Sequence, residues 1–354
     1  MAPKKKEVHM QRVTRSQKKR SGDDLVMSRD APPSKKPLST TATAASKQSS
    51  STAEALSLLE LAGITLIPLN PELLPPDSHS LYSSLSKISS AGSKTIPVNI
   101  CAHISTKFDP VLDDQILRDY HLSNEAALQE LDLLREIVDE AVRCQCEEVL
   151  DADWNCTVQS PLFNIAFKDL ASTLKVRARN ITGATIVPEY VPRMLKTGEP
   201  LQSHKVDFCL ALEPERTIMD FIDEHHLQSI NQTIYNPLRT RPIAMTIETK
   251  SQTPHTTGTP QLAIWAYAWF SRIAQIAPNA HTPAMPLLRI VGHEWYVLWA
   301  WKDSESPLRM TVTSDLALGH TRNLHGVYKI LASLRRLVKW IEEVFQPWAA
   351  ERFQ

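Results

Sequence analysis

The chain has 354 residues, of which 42% are hydrophobic, so it can bury a sizeable core as one large domain or two ordinary ones. It contains no run of about 18 or more apolar residues, and its first 30 residues are basic and polar, so the sequence predicts neither a membrane-spanning helix nor a secretory signal. The formal net charge is zero, but residues 1–50 hold 12 Lys and Arg against 4 Asp and Glu, which leaves the remainder net acidic and unlike a general nucleic-acid clamp.

The first 50 residues carry two basic clusters, at 4–6 and 18–20, followed by a stretch of Ser, Thr and Ala with almost no large apolar residues. Because such a composition cannot form a core, we predict a disordered basic tail over 1–50. Clusters of Lys and Arg are typical of nuclear import signals or of a tether for nucleic acid, and a merely solvated tail is the alternative. The clusters favour a nuclear location, and otherwise a cytoplasmic one.

Residues 51–110 show only weak patterns. A short helical pattern covers 53–61, four prolines follow between positions 68 and 76, and a weak amphipathic stretch runs near Leu81–Ile88. The segment predicts an irregular, proline-containing extension that packs on a larger domain, which we place at 111–354.

The larger domain begins with a strong helical pattern over 124–150, which Ser123 is well placed to cap. A second helix is predicted from about Ser160 to Leu174. The apolar residues of the first pattern recur every three or four positions, at Ala127, Leu128, Leu131, Leu134, Ile137, Val138, Ala141 and Val142.

Five short runs rich in β-branched and aromatic residues predict strands of one sheet. They are Thr185–Val191, Val206–Leu212, Ile243–Thr249, Leu287–Val291 and Trp295–Trp301. Further helical patterns lie near Met219–Leu227, at Gln261–Ile276 and at Leu324–Phe345. This order predicts an α/β fold with a central mixed β-sheet flanked by helices, a long amphipathic helix before it and a long C-terminal helix.

The five cysteines are an odd set that does not indicate a disulfide framework. Cys144 and Cys146, with Cys156 nearby, are spaced C-x-C on a predicted helix without a second matched pair, so we interpret them as buried thiols rather than a zinc site. His225 and His226 are neighbours on a predicted helix and point about 100° apart, so we interpret them as surface histidines.

The tryptophans and glycines also limit the possible functions. Trp265, Trp269, Trp295, Trp299 and Trp301 lie at helix or strand spacing beside apolar neighbours, which favours core packing over stacking on nucleic-acid bases. With nine glycines, the chain has no P-loop and no G-x-G-x-x-G motif, so no nucleotide cofactor is expected.

Two predicted strands hold acidic residues in otherwise apolar runs, Asp207 and Glu248. A carboxylate in such a run is costly unless something pairs with it. Glu248 and Lys250, two residues apart, project from the same face of their strand, and Asp207 can join them if the two strands pair. Two carboxylates make an oxygen site for Mg²⁺ or Mn²⁺, beside which Lys250 would act on a water or on phosphate charge. The alternative is a solvated Glu-x-Lys pair on an exposed edge strand.

The gap between Asp207 and Glu248 is long for adjacent strands, so an excursion over about 213–241 is required. The motifs around the two residues match a known family. They are Asp151-Ala-Asp-Trp-Asn155, Val206-Asp-Phe208, Ile247-Glu-Thr-Lys250, Gln261-Leu-Ala-Ile-Trp265, Gly292-His-Glu-Trp295, Gly326-Val-Tyr-Lys329, Trp340-Ile341 and Pro347-Trp348. With them, most of residues 55–354 resembles the fungal branch of the PD-(D/E)XK nuclease-like superfamily.

The resemblance implies a restriction-endonuclease-like αβα core and assigns roles to five residues. Asp207 and Glu248 would be metal ligands, Lys250 the catalytic lysine, and Gln261 a supporting residue on the next helix. Asp151 corresponds to a helical acidic ligand that is Glu in relatives, and Glu147 or Glu148 are possible substitutes for it.

These observations predict a Mg²⁺-dependent or Mn²⁺-dependent nuclease that acts on DNA rather than RNA. A nuclease-like fold whose chemistry has decayed, and which binds nucleic acid or protein, is the alternative. No membrane partner is expected, and the sequence does not identify protein partners.

Overall fold

The computed structural model describes residues 53–104, 111–118, 122–168, 176–251, 258–278, 281–302 and 309–353. The disordered tail predicted at 1–50, with both basic clusters, lies outside the described residues. Within the described ranges, every helix is too short or too polar to cross a membrane.

The described elements alternate between helices and short strands. The strands are β1 (Ile64–Ile67), β2 (Ile96–Pro97), β3 (Ile116–Leu117), β4 (Val176–Asn180), β5 (Phe208–Leu212), β6 (Ile243–Lys250), β7 (Met285–Val291), β8 (Glu294–Lys302), β9 (Met310–Thr313) and β10 (Leu316–His320). The helices are α1 (53–61), α2 (Pro76–Ser89), α3 (Cys101–Ile104), α4 (Asn124–Cys146), α5 (Asp151–Trp154), α6 (Ser160–Lys168), α7 (Arg216–Glu224), α8 (Thr259–Ile276), α9 (Leu324–Trp340) and α10 (Gln346–Arg352).

In the part of the chain that the structure describes, the main sheet has the strand order β1-β9-β8-β7-β6-β5-β4, and β10 pairs with β8. The β6–β7 and β1–β9 pairs are parallel, and the other pairs of this sheet are antiparallel. β2 and β3 form a small separate pair. The predicted α/β class with a central mixed sheet is confirmed.

Strand β6 lies in the middle of the sheet and is buried on both faces. Its first seven residues are all buried, and alternate residues of a strand face opposite sides. Burial of both faces requires a layer on each side of the sheet. Helix α8 packs on β6 and β7, while the long C-terminal helix α9 packs against α2, α6 and β10.

The strand predicted at Thr185–Val191 is wrong, because this segment contains a 3-10 turn at Pro188–Tyr190. Pro188 lies within this segment and Pro192 directly follows it. Proline has no N–H to donate to a strand ladder, so both residues disfavour a strand here. The edge of the sheet is instead occupied by β4, which the sequence analysis missed.

Strand β4 is polar because it is an edge strand. Arg177 and Arg179 alternate along it, and both form ion pairs with Glu213, at 3.2 and 2.6 Å. Charged side chains on an edge strand also block pairing with other chains. The alternation of charged residues along β4 is therefore explained by its position at the edge of the sheet, and does not indicate a loop.

Helix α4 begins as predicted, because the Ser123 hydroxyl accepts a hydrogen bond from the N–H of Ala126 at 3.3 Å. It ends at Cys146, four residues earlier than the predicted end at 150. The next helical segment runs from Asp151 to Lys168 as α5, a π-helical turn at Asn155–Gln159, and α6.

The five cysteines are all free thiols. Cys144 is buried, as predicted, but Cys146 and Cys156 are exposed, so the prediction of buried thiols is wrong for these two. Cys144 faces the core side of α4, and the residue two positions later on a helix points away from that side.

The predicted core tryptophans are confirmed. Trp265, Trp269, Trp295 and Trp299 are each at most 1% exposed. Trp301 is partly buried and packs at the edge of the same core. These large side chains lie on α8 and β8, the helix and the strand whose spacing indicated burial.

Candidate functional site

Strands β5 and β6 are neighbours and run antiparallel, with Phe208 opposite Ile247. The register ends at this pair, and Asp207, the residue just before β5, donates its N–H to the carbonyl of Ile247 at 3.2 Å. The Asp207 carboxylate contacts Thr249 of β6, and its charge acts on Glu248, so the two acidic residues lie close together at the end of the β5–β6 pair. The chain achieves this by making an excursion between Glu213 and β6.

Glu248 is a buried carboxylate, with only 2% of the residue exposed. Burial raises its pKa to about 8, although the charge of Lys250 acts in the opposite direction, and Asp207 raises it further. One carboxylate oxygen, Oε2, has no hydrogen-bond partner among the described residues. The alternative of a solvated pair on an exposed edge strand is therefore wrong.

Lys250 lies between two carboxylates. Its Nζ is 2.5 Å from Oε1 of Glu248 and 3.6 Å from Oδ2 of Asp151. Burial alone would lower the pKa of Lys250, but Glu248 outweighs burial and the pKa is raised. Lys250 is therefore a protonated, oriented ammonium group rather than a free base.

Asp151 reaches the same site from the first residue of α5. Its Oδ1 accepts a hydrogen bond from the N–H of Ser251 at 2.5 Å, just after the end of β6. Glu147 and Glu148 were possible substitutes for Asp151 only if the helix continued to Asp151. Both residues are exposed and α4 ends before them, so this condition is not met. The structure brings Asp151 to Lys250 and Glu248 across about 100 residues of sequence.

Asp207 is held by a residue that the sequence analysis did not single out. Its Oδ2 accepts hydrogen bonds from the N–H of Thr249 at 3.0 Å and from the Thr249 hydroxyl at 2.8 Å. The same hydroxyl lies 2.7 Å from Oδ1 of Asn155. Both residues lie in motifs quoted for the resemblance, Glu-Thr-Lys and Trp-Asn, which is the signal that could have identified them.

The helix that carries Gln261 begins directly against Glu248. Gly258 precedes α8 with φ +68°, and a Cβ at this position would lie 2.8 Å from Cγ of Glu248. Gln261 is partly buried in the first turn of α8. This contact places the start of α8, whose first turn carries Gln261, next to Glu248.

Two further residues border the site. Burial lowers the pKa of His204, and the charge of Lys250 lowers it further, so a neutral imidazole lies near the ammonium group. Arg289 is aligned with Glu248 in the β6–β7 ladder, and its guanidinium pairs with Asp315, at 3.1 Å between Nε and Oδ1. Neither residue was singled out from the sequence, because its proximity to Glu248 depends on chain segments distant in sequence.

The donor set fits a hard divalent cation. In the ranges that the structure describes, no three or more His, Cys, Asp or Glu side chains are grouped so that they could bind a metal ion by themselves. Asp207 and Glu248 nevertheless supply two neighbouring carboxylates, and Oε2 of Glu248 is buried without a hydrogen-bond partner among the described residues, while Oε1 pairs with Lys250. Mg²⁺ is commonly bound through one or two carboxylates, with water and substrate phosphate completing its shell.

His225 and His226 lie on the excursion and are exposed, as predicted. The ring of His225 packs on Phe221, with ring centroids 4.2 Å apart. Their described contacts are made within the excursion and do not include Asp207, Glu248 or Lys250.

The chain matches a known protein family. A family model described as the PD-(D/E)XK nuclease superfamily matches residues 104–346, which is more than half of the chain. The matched range contains Asp151, Asp207, Glu248, Lys250 and Gln261. No curated protein shows a significant match to the chain.

Proposed function

Because the chain belongs to the PD-(D/E)XK nuclease superfamily, we propose that it hydrolyses phosphodiester bonds in nucleic acid with the aid of Mg²⁺ or Mn²⁺. The observation that carries the proposal is the convergence of Asp207, Glu248 and Lys250 where β5 pairs with β6. Asp151 and Gln261 complete the set, the first as a further acidic group and the second as a supporting amide.

The roles of the side chains follow from their charges. Asp207 and Glu248 would hold the cation, with Asp151 as a further ligand. When bound, the cation supplies Lewis acidity to a phosphate oxygen and lowers the pKa of a water molecule. Lys250 is positioned to donate hydrogen bonds to the attacking water or to the negative charge that develops on phosphorus. Its ion pair with Glu248 holds the ammonium group at the carboxylates before substrate arrives.

We propose DNA rather than RNA as the substrate, and a nuclear location with the cytoplasm as the alternative. The residues after position 50 are net acidic, whereas the first 50 are strongly basic. Phosphate affinity would therefore come from the cation at the site and from the 1–50 tail, with clusters at 4–6 and 18–20. The remaining chain would comprise an extension at 51–110 and the nuclease domain at 111–354, within the fungal branch of the superfamily.

Cleavage assays with site variants test the proposal. Purified full-length protein should cleave plasmid DNA in Mg²⁺ or Mn²⁺, and not in EDTA. Asp207→Asn and Lys250→Met should each lower the cleavage rate by about 100-fold or more, because each removes charge stabilisation at the reacting phosphate. Lys196→Met, which alters an exposed lysine outside the site, is the matched control and should cleave at the wild-type rate.

The same assay, run with single-stranded DNA and RNA, ranks the substrates. Cleavage by Asp207→Asn at the wild-type rate would exclude this site. Folded protein that binds nucleic acid but cleaves none of the substrates would indicate the alternative, a nuclease-like fold that has lost its chemistry.

A further inference from the structure

We propose that Asn155 and Thr249 form a hydrogen-bonded relay that orients the Asp207 carboxylate for cation binding. This inference rests on the proposed function, because it assigns a positioning role at the same site. It concerns two uncharged residues: Thr249 contacts the Asp207 carboxylate directly, and Asn155 contacts the Thr249 hydroxyl.

The relay is continuous and buried. Asn155 is 4% exposed and Thr249 is 1% exposed. The Thr249 hydroxyl lies 2.7 Å from Oδ1 of Asn155 and 2.8 Å from Oδ2 of Asp207, and the N–H of Thr249 is 3.0 Å from the same Oδ2. Thr249 thus contacts one carboxylate oxygen with both its backbone and its side chain.

The chemistry of the three groups determines the direction of the hydrogen bonds. An ionised carboxylate only accepts, so the single hydrogen of the Thr249 hydroxyl is directed to Asp207. The hydroxyl oxygen then needs a donor, and a 180° rotation of the Asn155 carboxamide places its NH₂ group there. Donors therefore run from Asn155 through Thr249 to Asp207.

Strand geometry explains why Thr249 is suited to this role. Glu248 and Lys250 project from one face of β6, and Thr249, between them, projects from the other. Its side chain faces the helix that carries Asn155, while its backbone N–H remains next to Asp207. The tripeptide Glu248-Thr249-Lys250 therefore supplies two charged side chains to the site, and its middle residue holds the carboxylate of Asp207.

The helix that carries Asn155 has a local irregularity at this residue. Asn155 opens the π-helical turn Asn155–Gln159, in which the N–H of Ser160 donates to the carbonyl of Asn155. Turns of this kind within a helix are frequent at functional sites. Asp151, four residues earlier, contacts Ser251 and Lys250. The same helical segment therefore contacts both Lys250 and Thr249.

The consequence for Asp207 is orientational. Two hydrogen bonds to Oδ2 restrict rotation of the carboxylate, and no described residue donates to Oδ1. Oδ1 is therefore the oxygen that Asp207 presents to a cation. Loss of residues that orient a ligand typically weakens metal binding by about 10–100-fold.

Binding of Mn²⁺ alone, measured by electron paramagnetic resonance of the free ion, tests the relay without depending on catalysis. Thr249→Val keeps the shape and backbone N–H but removes the hydroxyl, and should weaken Mn²⁺ binding about 10-fold or more. Thr249→Ser retains the hydroxyl and should stay within about threefold of wild type. Asn155→Ala should also weaken binding, and should add little in the Thr249→Val background.

A matched control is available in the same strand. Thr246 is also fully buried, and its hydroxyl has no hydrogen-bond partner among the described residues. Thr246→Val makes the same chemical change three residues away and should leave Mn²⁺ affinity unchanged. Thermal unfolding of all variants separates a general loss of stability from a specific loss of affinity.

The outcomes distinguish the relay from the function on which it rests. If Asp207→Asn abolishes Mn²⁺ binding while Thr249→Val and Asn155→Ala bind as wild type, the relay is overturned and the proposed function stands. If wild-type protein binds no Mn²⁺, or if Asp207→Asn binds it normally, the proposed cation site fails and the relay fails with it. Weakening by Thr249→Val with recovery in Thr249→Ser supports both.

Discussion

At the scale of single residues, the position of the Glu248 side chain depends on close packing against the backbone of Gly258. The Gly258 backbone has φ +68°, in the left-handed region, and its Cα lies against the Glu248 side chain. Glycine adopts this region readily, whereas a residue with a Cβ is strained there. The buried carboxylate is thus held in place by the residue that begins α8.

We predict that Gly258→Ala reduces activity as well as stability. The new Cβ would lie 2.8 Å from Cγ of Glu248, so the carboxylate must move, and we expect cleavage to fall by about tenfold or more. Gly198→Ala is the matched control, because Gly198 has φ +72° but no atom within 4 Å of an added Cβ. Both variants should lose about 1 kcal/mol from backbone strain, measured by urea unfolding. Equal activity in the two variants would contradict the packing role.

At the scale of elements, the excursion between β5 and β6 determines whether the two acidic residues meet. It contains α7 and a 3-10 turn at Asn236–Leu238, and its return into β6 is organised by Asn231, which is 2% exposed. The Asn231 amide donates to the carbonyls of Leu238 and Arg241, at 2.6 and 2.8 Å. Its Oδ1 accepts from the N–H of Ile243, the first residue of β6, at 3.0 Å.

We predict that Asn231→Ala destabilises the protein by about 2–4 kcal/mol, because it leaves two buried backbone groups and one part-buried backbone group without their partner. The free energy of unfolding, measured in urea, reports the effect. Asn236→Ala, in the same excursion but exposed, should change it by less than about 0.5 kcal/mol. Similar losses in the two variants would show that Asn231 is not the organising residue.

At the scale of the whole molecule, His293 joins three parts of the chain. It is fully buried between β7 and β8, with Nε2 2.6 Å from Oε1 of Gln145 and Nδ1 2.8 Å from the Thr321 hydroxyl. A neutral ring satisfies both contacts when Nε2 donates and Nδ1 accepts. Burial, with the charge of Arg322 as a smaller cause, lowers the pKa of His293 to about 4.

We predict that this histidine makes stability depend on pH between about 6.5 and 4. An unfolded histidine has a pKa near 6.5, so the unfolded chain binds the proton more readily over this interval. The contribution is complete above about pH 6.5 and is lost as the pH falls towards 4, by roughly 2–3 kcal/mol. Urea unfolding at pH 7.5, 5.5 and 4.5 should show the wild-type advantage over His293→Gln shrinking with pH. An advantage independent of pH would contradict the prediction.

Local patterns in the sequence determined the fold class and most elements. The spacing of apolar residues predicted α4, α8 and α9, and Ser123 marked the start of α4. The prediction failed at β4 and at residues 185–191, because an edge strand is polar and because β-branched residues also occur in turns next to proline. Short strands such as β1, β9 and β10 contain too few residues for a pattern to be distinctive.

The sequence by itself also determined that Glu248 and Lys250 share a face, since that follows from the two-residue period of a strand. Only the tertiary structure decided that Asp207 lies close to Glu248, that Asp151 reaches Lys250, and that Asn155 contacts Thr249. The burial that raises the pKa of Glu248 is likewise a property of the packed layers. The reason is that periodicity is set by neighbouring residues, whereas strand register and burial depend on elements that are about 40 to 100 residues apart in the chain.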